Sequence, residues 1–241
     1  MITIKNLTKR YAHVYALDKL SINIKKGQLI GIIGPNGSGK TTLLDILSGI
    51  VSFDSGKINL GVTCTANPSP HKNTAHKLTR TFQKTRLFEQ MTVMDNLLAV
   101  FSKRAVFPSI FQKYSKEELS TVNDILKTTH LHAKKNMLAG ELSYGQKKLL
   151  EISRAVIMEA EIYLFDEPFA GLFPEMIPVV SNILRKLSKE NKTVILIEHD
   201  MKIIQDLTDH IFVLDNGKLL AEGDPRTTLL QNNVIDAYLG N

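Results

Sequence analysis

The clearest structural signal in the chain is the run Leu29-Ile30-Gly31-Ile32-Ile33-Gly34-Pro35-Asn36-Gly37-Ser38-Gly39-Lys40-Thr41-Thr42. Its first five residues are almost entirely apolar, as expected of a strand that is buried on both faces of a sheet. After Lys40, leucine and isoleucine recur at helical spacing, and Gly49 suits the left-handed conformation that ends a helix. The sequence therefore predicts a strand, a glycine loop and a helix in succession.

The glycine loop matches a pattern that binds phosphate. Glycines let the backbone wrap its N–H groups around the β-phosphate of a nucleotide, and the positive end of the following helix also favours anions. Lys40 would add a positive charge at the β- and γ-phosphate oxygens, and the Thr41 hydroxyl would bind Mg²⁺. A glycine-rich turn with a surface lysine is the alternative, which the flanking strand and helix disfavour. The predicted nucleotide-binding residues of this loop are Gly34, Pro35, Asn36, Gly37, Ser38, Gly39, Lys40, Thr41 and Thr42.

Two later apolar strands end in residues that can carry chemistry. Ile162 to Phe165 leads into Asp166 and Glu167, and Thr193 to Ile197 is followed closely by His199. Because the carboxyl ends of parallel strands meet at one edge of a sheet, these side chains should lie beside the glycine loop. Asp166 would hold Mg²⁺, Glu167 would act as general base on the attacking water, and His199 would contact the γ-phosphate and orient that water. Taken alone, the acids are better explained as solvated residues that cap the next turn, and the histidine is equally well explained as a surface or hydrogen-bonded residue.

The rest of the chain divides by pattern. From Thr81 to Ala155 the periodicity is helical, which predicts an inserted helical subdomain. A hairpin is predicted around Asp215-Asn216-Gly217. Pro178 indicates that the helix between the two chemical strands either begins late or is kinked in its first turns. The predicted helices of the insertion are Val93 to Phe101, Lys116 to His130 and Gly145 to Met158.

Composition excludes several classes of protein. The 241 residues are 43% hydrophobic and 22% charged, which is ordinary for a folded α/β domain. The net charge of +6 is modest, and no dense Lys/Arg block indicates nucleic-acid binding. The longest apolar runs fall far below the roughly 20 residues that span a bilayer. The N-terminus lacks the order of a secretory signal, and the single Cys64 has no partner for a disulfide or a zinc site, so a cytoplasmic location is expected.

A short motif before the last predicted helix of the insertion identifies a family. Leu142-Ser143-Tyr144-Gly145-Gln146 resembles the signature sequence of ATP-binding cassette (ABC) proteins, with Tyr144 where many members have glycine, and Ser143 is a plausible N-cap. The resemblance implies that the signature of one subunit covers the γ-phosphate held by another. Two ATP molecules would then lie between two cassettes.

The resemblance covers nearly the whole chain. It implies that Tyr11 stacks on adenine, that Gln83 reaches Mg²⁺ and senses the γ-phosphate, and that ATP and Mg²⁺ are the cofactors. It places Asp166 and Glu167 in the second Walker motif and makes His199 the switch histidine. The implied catalytic residues are Glu167, His199 and Lys40, and the implied metal ligands are Thr41, Gln83 and Asp166.

The implied fold is α/β: a P-loop NTPase (RecA-like) core with an antiparallel β subdomain and an inserted α-helical subdomain. We predict one ABC ATPase domain over residues 1–241. Residues 1–82 and 156–223 would form the core with its β subdomain, residues 83–155 the helical signature subdomain, and residues 224–241 a C-terminal helical tail.

The subgroup is indicated by Arg80-Thr81-Phe82-Gln83, Arg86-Leu87-Phe88 and Met91-Thr92-Val93-Met94-Asp95-Asn96-Leu97. These are most similar to ATP-binding subunits of branched-chain amino acid and related amide importers. The ending Ala237-Tyr238-Leu239-Gly240 is similar to that group and to the ATPase of lipopolysaccharide export. Phe173 departs from the Asp or Asn usual at its position, and Val62 to Lys77 fits the importer group poorly.

The resemblance implies integral membrane permease subunits, a second cassette and a solute-binding protein as partners, no nucleic acid, and a place on the inner face of the cell membrane. A short helix of the membrane partner would dock near Gln83 to Phe88, although Leu87 and Phe88 fit the subdomain core equally well. The alternatives are an ATPase of lipopolysaccharide-type export, a cassette acting on nucleic acid or the ribosome, and a module that binds nucleotide without hydrolysing it.

Overall fold

The computed structural model describes residues 1–61, 64–65, 77–83, 85–101 and 114–239. They form two compact units. Unit 1 comprises Met1–Arg80, Ala160–Glu167 and Ile183–Asn241, and unit 2 comprises Thr81–Glu159 and Pro168–Asn182. Both sheets belong to unit 1, and unit 2 is mainly helical.

The strands and helices are numbered in chain order. They are β1 (Ile2–Tyr11), β2 (Val14–Ile24), β3 (Leu29–Ile33), α1 (Lys40–Leu47), β4 (Ser55–Asn59), β5 (Cys64–Thr65), β6 (Leu78–Arg80), α2 (Val93–Leu98), α3 (Lys116–Thr128), α4 (Tyr144–Ile157), β7 (Ile162–Asp166), α5 (Ile177–Lys189), β8 (Thr193–Ile197), α6 (Met201–Leu207), β9 (His210–Asp215), β10 (Lys218–Gly223), α7 (Pro225–Thr228) and α8 (Asn232–Leu239). Short 3-10 turns occupy Ala99–Phe101, His132–Lys134, Ala139–Glu141 and Pro174–Met176.

The larger sheet carries the chemical strands. Among the described residues its order is β10-β9-β3-β8-β7-β6, with β9, β3, β8, β7 and β6 parallel and β10 antiparallel to β9. All five residues of β3, β7 and β8 are buried, as the uninterrupted apolar runs predicted. Asn216 and Gly217 both have positive φ, which is the conformation of a tight hairpin turn.

The smaller sheet is antiparallel and packs against the hydrophobic core that it shares with the larger sheet. In the described ranges its order is β2-β1-β4-β5. Ile2 pairs with Ile24 and Ile4 with Ile22, so each pair presents its side chains to one face. Their side chains join a cluster that also contains residues of α1 and of the larger sheet. This burial of apolar surface is the main stabilising term of unit 1.

Unit 2 is built from capped helices. Ser115 and Ser143 each form a capping box, at the start of α3 and of α4 respectively. In each box the serine hydroxyl accepts from the backbone N–H three residues later, and the side chain of that later residue accepts from the serine N–H. The N-cap predicted at Ser143 is therefore confirmed. Leu97 and Leu150 are fully buried in this unit.

Several elements differ from the sequence-based expectation. No strand was predicted at β4, β5 or β6. Pro178 lies in the first turn of α5, where its missing N–H removes no intrahelical bond, so the late start is the correct alternative. Pro168–Asn182 belongs to unit 2, which the sequence did not indicate. The sequence-based predictions at residues 62–63 and 66–76, at the side chain of Cys64 and at Gly240 lie outside the described residues. Within the described part of the chain, no helix is long and apolar enough to cross a bilayer.

Candidate nucleotide site

The glycine loop between β3 and α1 has a backbone that only glycine fits at two positions. Gly34 and Gly39 have φ of +147° and +101°. A Cβ at Gly34 would overlap the carbonyl oxygen of Leu214, and a Cβ at Gly39 would overlap that of Ala16. Positive φ and close backbone approach are the two conditions that require glycine. The loop is thus held in shape by β2 and β9.

Lys40 lies under this loop. Its side chain is buried, and Nζ donates to the carbonyl oxygens of Gly34 at 2.8 Å and Pro35 at 2.9 Å. Burial lowers the pKa of the Lys40 ammonium, while the negative charges of Glu167 and Asp166 oppose that shift. The same interactions show that the loop cation and the two strand-end acids are electrostatic neighbours.

The loop offers further groups to an anion. Ser38 Oγ is buried and, within the described chain, has no hydrogen-bond partner. Such an orphaned hydroxyl is costly unless a ligand or water completes it. The first N–H groups of α1 have no intrahelical acceptor either, and the helix dipole makes that end positive. The residues present therefore fit a bound phosphate group.

The acids and the histidine meet at the ends of adjacent strands. Glu167 follows β7, and its N–H donates to the Ile197 carbonyl at 3.0 Å. His199 follows β8, and its Nε2 lies 3.0 Å from Glu167 Oε1, so an imidazole protonated at Nε2 donates to the carboxylate. Glu167 has a φ of +50°, a strained conformation for a residue with a side chain and one that recurs at functional sites.

Arg80 is a site residue that the sequence analysis did not single out. Its side chain is only 5% exposed and makes two ion pairs, with Asp45 Oδ1 at 2.6 Å and with Asp166 Oδ2 at 3.2 Å. Nη1 also donates to Ser48 Oγ at 2.9 Å. The side chain therefore ties the end of β6 to α1 and to the end of β7. The sequence gives little signal for this role, because Arg80 ends a three-residue segment, Leu78–Arg80, with one apolar residue, and a charged residue there is usually solvated.

Thr41 and Tyr11 are accessible in unit 1. Thr41 lies exposed in the first turn of α1, beside Lys40. Tyr11 ends β1, and its ring is 47% exposed, with Lys9 Nζ 5.2 Å from the ring centroid. An exposed ring suits stacking on a base.

The signature residues and Gln83 belong to unit 2. Tyr144 is 51% exposed, and its hydroxyl lies 3.5 Å from the carbonyl oxygen of the exposed Gln83. The Tyr144 ring lies over Gly171, where a Cβ would stand 2.5 Å from the ring. A Cβ on Gly145 would likewise approach the Gly171 carbonyl oxygen to 2.8 Å. The signature turn and the Ala170 to Phe173 segment therefore pack closely together.

Unit 2 also carries two exposed phenylalanine side chains. Phe173, the departure from the family pattern, is 61% exposed. Phe88 is 53% exposed, so the core alternative does not hold for it. The guanidinium of Arg154 lies 5.5 Å from the Phe88 ring centroid.

A family model described as ABC transporter matches residues 17–170, well over half of the chain. The chain belongs to the ABC transporter family. This confirms the family expected from the signature, the Walker motifs and the switch histidine.

Full-length relatives of this ABC transporter chain are transport ATP-binding proteins. The high-affinity branched-chain amino acid transport ATP-binding protein BraF of Pseudomonas aeruginosa is 34% identical over 249 residues, covering 100% of this chain and 98% of the relative. The probable branched-chain amino acid transport ATP-binding protein LivG of Archaeoglobus fulgidus is 35% identical over 245 residues, covering 98% and 94%. These names favour the importer group over the export and nucleic-acid alternatives.

Solved ABC cassettes have the same fold. A nucleotide-free ATP-binding cassette from an ABC transporter has a TM-score of 0.85 at 31% identity, covering 100% of this chain and 99% of that one. A dimeric cassette in a post-hydrolysis state, bound to ADP and Pi, has a TM-score of 0.82 at 26% identity, covering 94% and 99%. The predicted fold class and the classification of the chain as a nucleotide-binding ATPase of a transporter are confirmed.

Proposed function

We propose that this chain supplies ATP hydrolysis to an importer of branched-chain amino acids or related small polar solutes. The names of its full-length relatives support the substrate class. Two integral permease subunits, a second cassette and a solute-binding protein complete the proposed assembly. The cassettes lie on the inner face of the membrane, where closure on ATP drives the permeases.

The single observation that carries the proposed chemistry is the contact between His199 and Glu167. The hydrogen bond from the His199 imidazole holds the Glu167 carboxylate in one orientation beside the attacking water molecule. Glu167 takes a proton from that water as general base. His199 orients the same water and contacts the γ-phosphate. Phosphoryl transfer needs little covalent help, so these groups act by positioning and by stabilising charge.

The loop supplies the complementary positive groups. Lys40 releases its two carbonyl partners and binds β- and γ-phosphate oxygens, while Ser38 and the backbone N–H groups of the loop donate to the β-phosphate. Tyr11 stacks on the adenine. Contacts along the whole triphosphate hold the γ-phosphate in line for attack.

A magnesium ion suits the oxygen donors of the three proposed metal ligands. Thr41, Asp166 and Gln83 would hold it, because hydroxyl, carboxylate and amide oxygens are hard ligands of the kind it prefers. When bound, the ion neutralises charge that develops on the phosphate oxygens. Arg80 holds one oxygen of the Asp166 carboxylate and fixes its orientation.

The signature completes the site in a second cassette. Leu142, Ser143, Tyr144, Gly145 and Gln146 would cover the γ-phosphate bound by the partner. Phe173 replaces the polar contact expected near this interface by an exposed ring, so that segment contributes apolar packing between the cassettes.

The experiment compares Glu167→Gln with Glu161→Gln in the assembled complex. The two acids stand at opposite ends of β7, and Glu161 pairs with Lys192 away from the loop. Glu167→Gln should lower turnover at least about 100-fold, the smallest effect typical of a lost general base, yet retain ATP binding and accumulate an ATP-stabilised dimer. Glu161→Gln should hydrolyse ATP as the wild type does. Wild-type turnover in Glu167→Gln contradicts the assigned role.

A further inference from the structure

The signature helix α4 presents two buried charges to the loop that carries Gln83. Lys148 is 0% exposed and Glu151 is 3% exposed. Lys148 Nζ donates to the carbonyl oxygens of Phe82 at 3.1 Å and of Gln83 at 3.5 Å. Glu151 Oε1 accepts from the N–H groups of Phe82 and Arg86, each at 3.3 Å. One helix face therefore supplies both a donor and an acceptor to the backbone of this loop.

These contacts answer a specific need of the loop. Buried backbone groups need partners, and the described residues 82, 83, 85 and 86 lie in no strand or helix, where the partners would come from neighbouring backbone. Lys148 and Glu151 lie three positions apart, so they share one face of α4 and reach neighbouring points of the same loop. The result is a clamp, defined here as Lys148, Glu151 and the backbone groups that they hold.

The clamp is not explained by stability. Burial raises the pKa of Glu151, and Lys148, the two backbone N–H groups and Arg154 oppose that shift only in part. Apolar side chains of similar volume are often at least as stabilising as buried charges. Two buried charged side chains that hold the backbone of a functional loop are accounted for better by the fixed position that they impose.

The same loop is fixed at its far end. Asn96 of α2 is fully buried, its Nδ2 donates to the Phe88 carbonyl at 3.0 Å, and its Oδ1 accepts from the Phe88 N–H at 2.9 Å. At the near end, Tyr144 of the signature reaches the same Gln83 carbonyl that Lys148 contacts. The loop is therefore anchored directly to the first two turns of the signature helix.

We propose that Lys148 and Glu151 are positioning residues that join the Gln83 loop and the signature turn into one moving body. A displacement of Gln83 then moves Ser143 and Tyr144 through the first turns of α4, and not through the long stretch of chain between them. The inference rests on the proposed function, which gives Gln83 and the signature their roles at ATP. It adds the residues that link the two.

The first test needs no nucleotide. Hydrogen exchange of the peptide 82–88 is compared in the wild type, Glu151→Met and Lys148→Met. Each variant removes hydrogen bonds to a charged group, so exchange in this peptide should accelerate about tenfold or more, while exchange in β8 stays unchanged. Unchanged exchange at 82–88 overturns the proposal.

The second test asks whether the clamp matters for turnover. In the assembled complex, both variants should keep the ATP dissociation constant within about twofold and lose about tenfold or more in kcat, because positioning acts after binding. Glu151→Gln keeps an acceptor oxygen and should recover part of kcat. Accelerated exchange with wild-type kcat shows a purely structural clamp and overturns the proposal.

The chain offers a matched control one residue away. Lys147 also lies on α4, but it pairs with Glu89, whose side chain is 63% exposed. Lys147→Met should leave exchange at 82–88 and kcat within about twofold of the wild type. A loss in Lys147→Met equal to that in Lys148→Met overturns the specific role of the clamp.

A variant that does not fold and a complex that does not hydrolyse ATP can each be told apart from failure of the proposal. If Glu151→Met does not fold, the double variant Lys148→Met/Glu151→Met decides by the same exchange and kcat measurements, because replacing both buried charges by apolar side chains leaves neither one uncompensated. If the wild-type complex does not hydrolyse ATP, the proposed function fails, and with it the role in turnover, whereas the exchange data still decide whether the clamp holds the loop.

Discussion

Replacing Arg80 by methionine should destabilise unit 1 strongly. Arg80 is the cation between the carboxylates of Asp45 and Asp166, and its side chain and that of Asp166 are 5% and 3% exposed. Methionine fills much of the same space but leaves Asp166 without this counter-charge. The perturbation therefore removes the ion-pair partner of a buried carboxylate, which keeps only the weaker attraction of the neighbouring Lys40 ammonium among the charges described above.

The expected magnitude follows from burial. Removing one partner of a buried ion pair costs about 3–5 kcal/mol, and we take about 4 kcal/mol for the Asp166 pair. Asp45 is 27% exposed, so its pair adds at most about 1 kcal/mol. For a chain of this size, each kcal/mol lowers the melting temperature by about 2–4 °C. The two pairs together cost about 4–5 kcal/mol, so we expect Arg80→Met to melt about 8–20 °C below the wild type.

Thermal unfolding of the purified, nucleotide-free chain measures this loss. Asp166→Asn in the Arg80→Met background removes the stranded charge and should restore about half of the lost stability. The control is Lys186→Met, which breaks the surface pair of Lys186 with Glu190, whose side chains are 78% and 51% exposed, and should shift melting by less than about 2 °C. A shift below about 2 °C in Arg80→Met, or no recovery with Asp166→Asn, refutes the reasoning.

Three further substitutions test local geometry. Gly39→Ala places a Cβ against the Ala16 carbonyl at a φ of +101°, so equilibrium binding should show loss of ATP affinity, and affinity equal to wild type contradicts the loop geometry. Gly171→Ala should lower the melting temperature because its Cβ meets the Tyr144 ring, and Tyr144→Gly in the same chain should recover part of that loss; strictly additive effects rule out the contact. Ser143→Ala removes the N-cap of α4 and should cost about 1 kcal/mol in chemical denaturation, with an unchanged midpoint as the contrary result.

The elements that sequence predicted well are those whose signal is local. β3, β7 and β8 are continuous apolar runs, and a capped amphipathic pattern marks α4, so neither depends on distant residues. β4 was missed because Ile58 is its only strongly apolar residue, and β6 was missed because it spans only Leu78–Arg80. A strand of three residues such as β6 carries too little sequence pattern of its own, and its pairing with a neighbouring strand defines it.

The residues of the candidate site also fall into those that local sequence predicted and those that it did not. The meeting of Glu167 and His199 followed from two strand ends and the rule that parallel strands share an edge. Arg80, Lys148 and Glu151 were invisible because a charged residue in a sequence is usually solvated, and the groups that justify burying these three lie 32–86 positions away along the chain. Burial of charge is a property of the tertiary structure.

The glycine loop has a consequence for synthesis of the chain. β3 lies between β8 and β9, Gly34 packs against Leu214, and the Ser38 carbonyl accepts from the Gly217 N–H at 3.2 Å. At about 5–20 residues per second, the roughly 175 residues between the loop and its last supports take about 9–35 s to translate. A nascent chain therefore holds an unfinished phosphate cradle for most of its elongation, and ATP can stabilise it only after the C-terminal hairpin has left the ribosome.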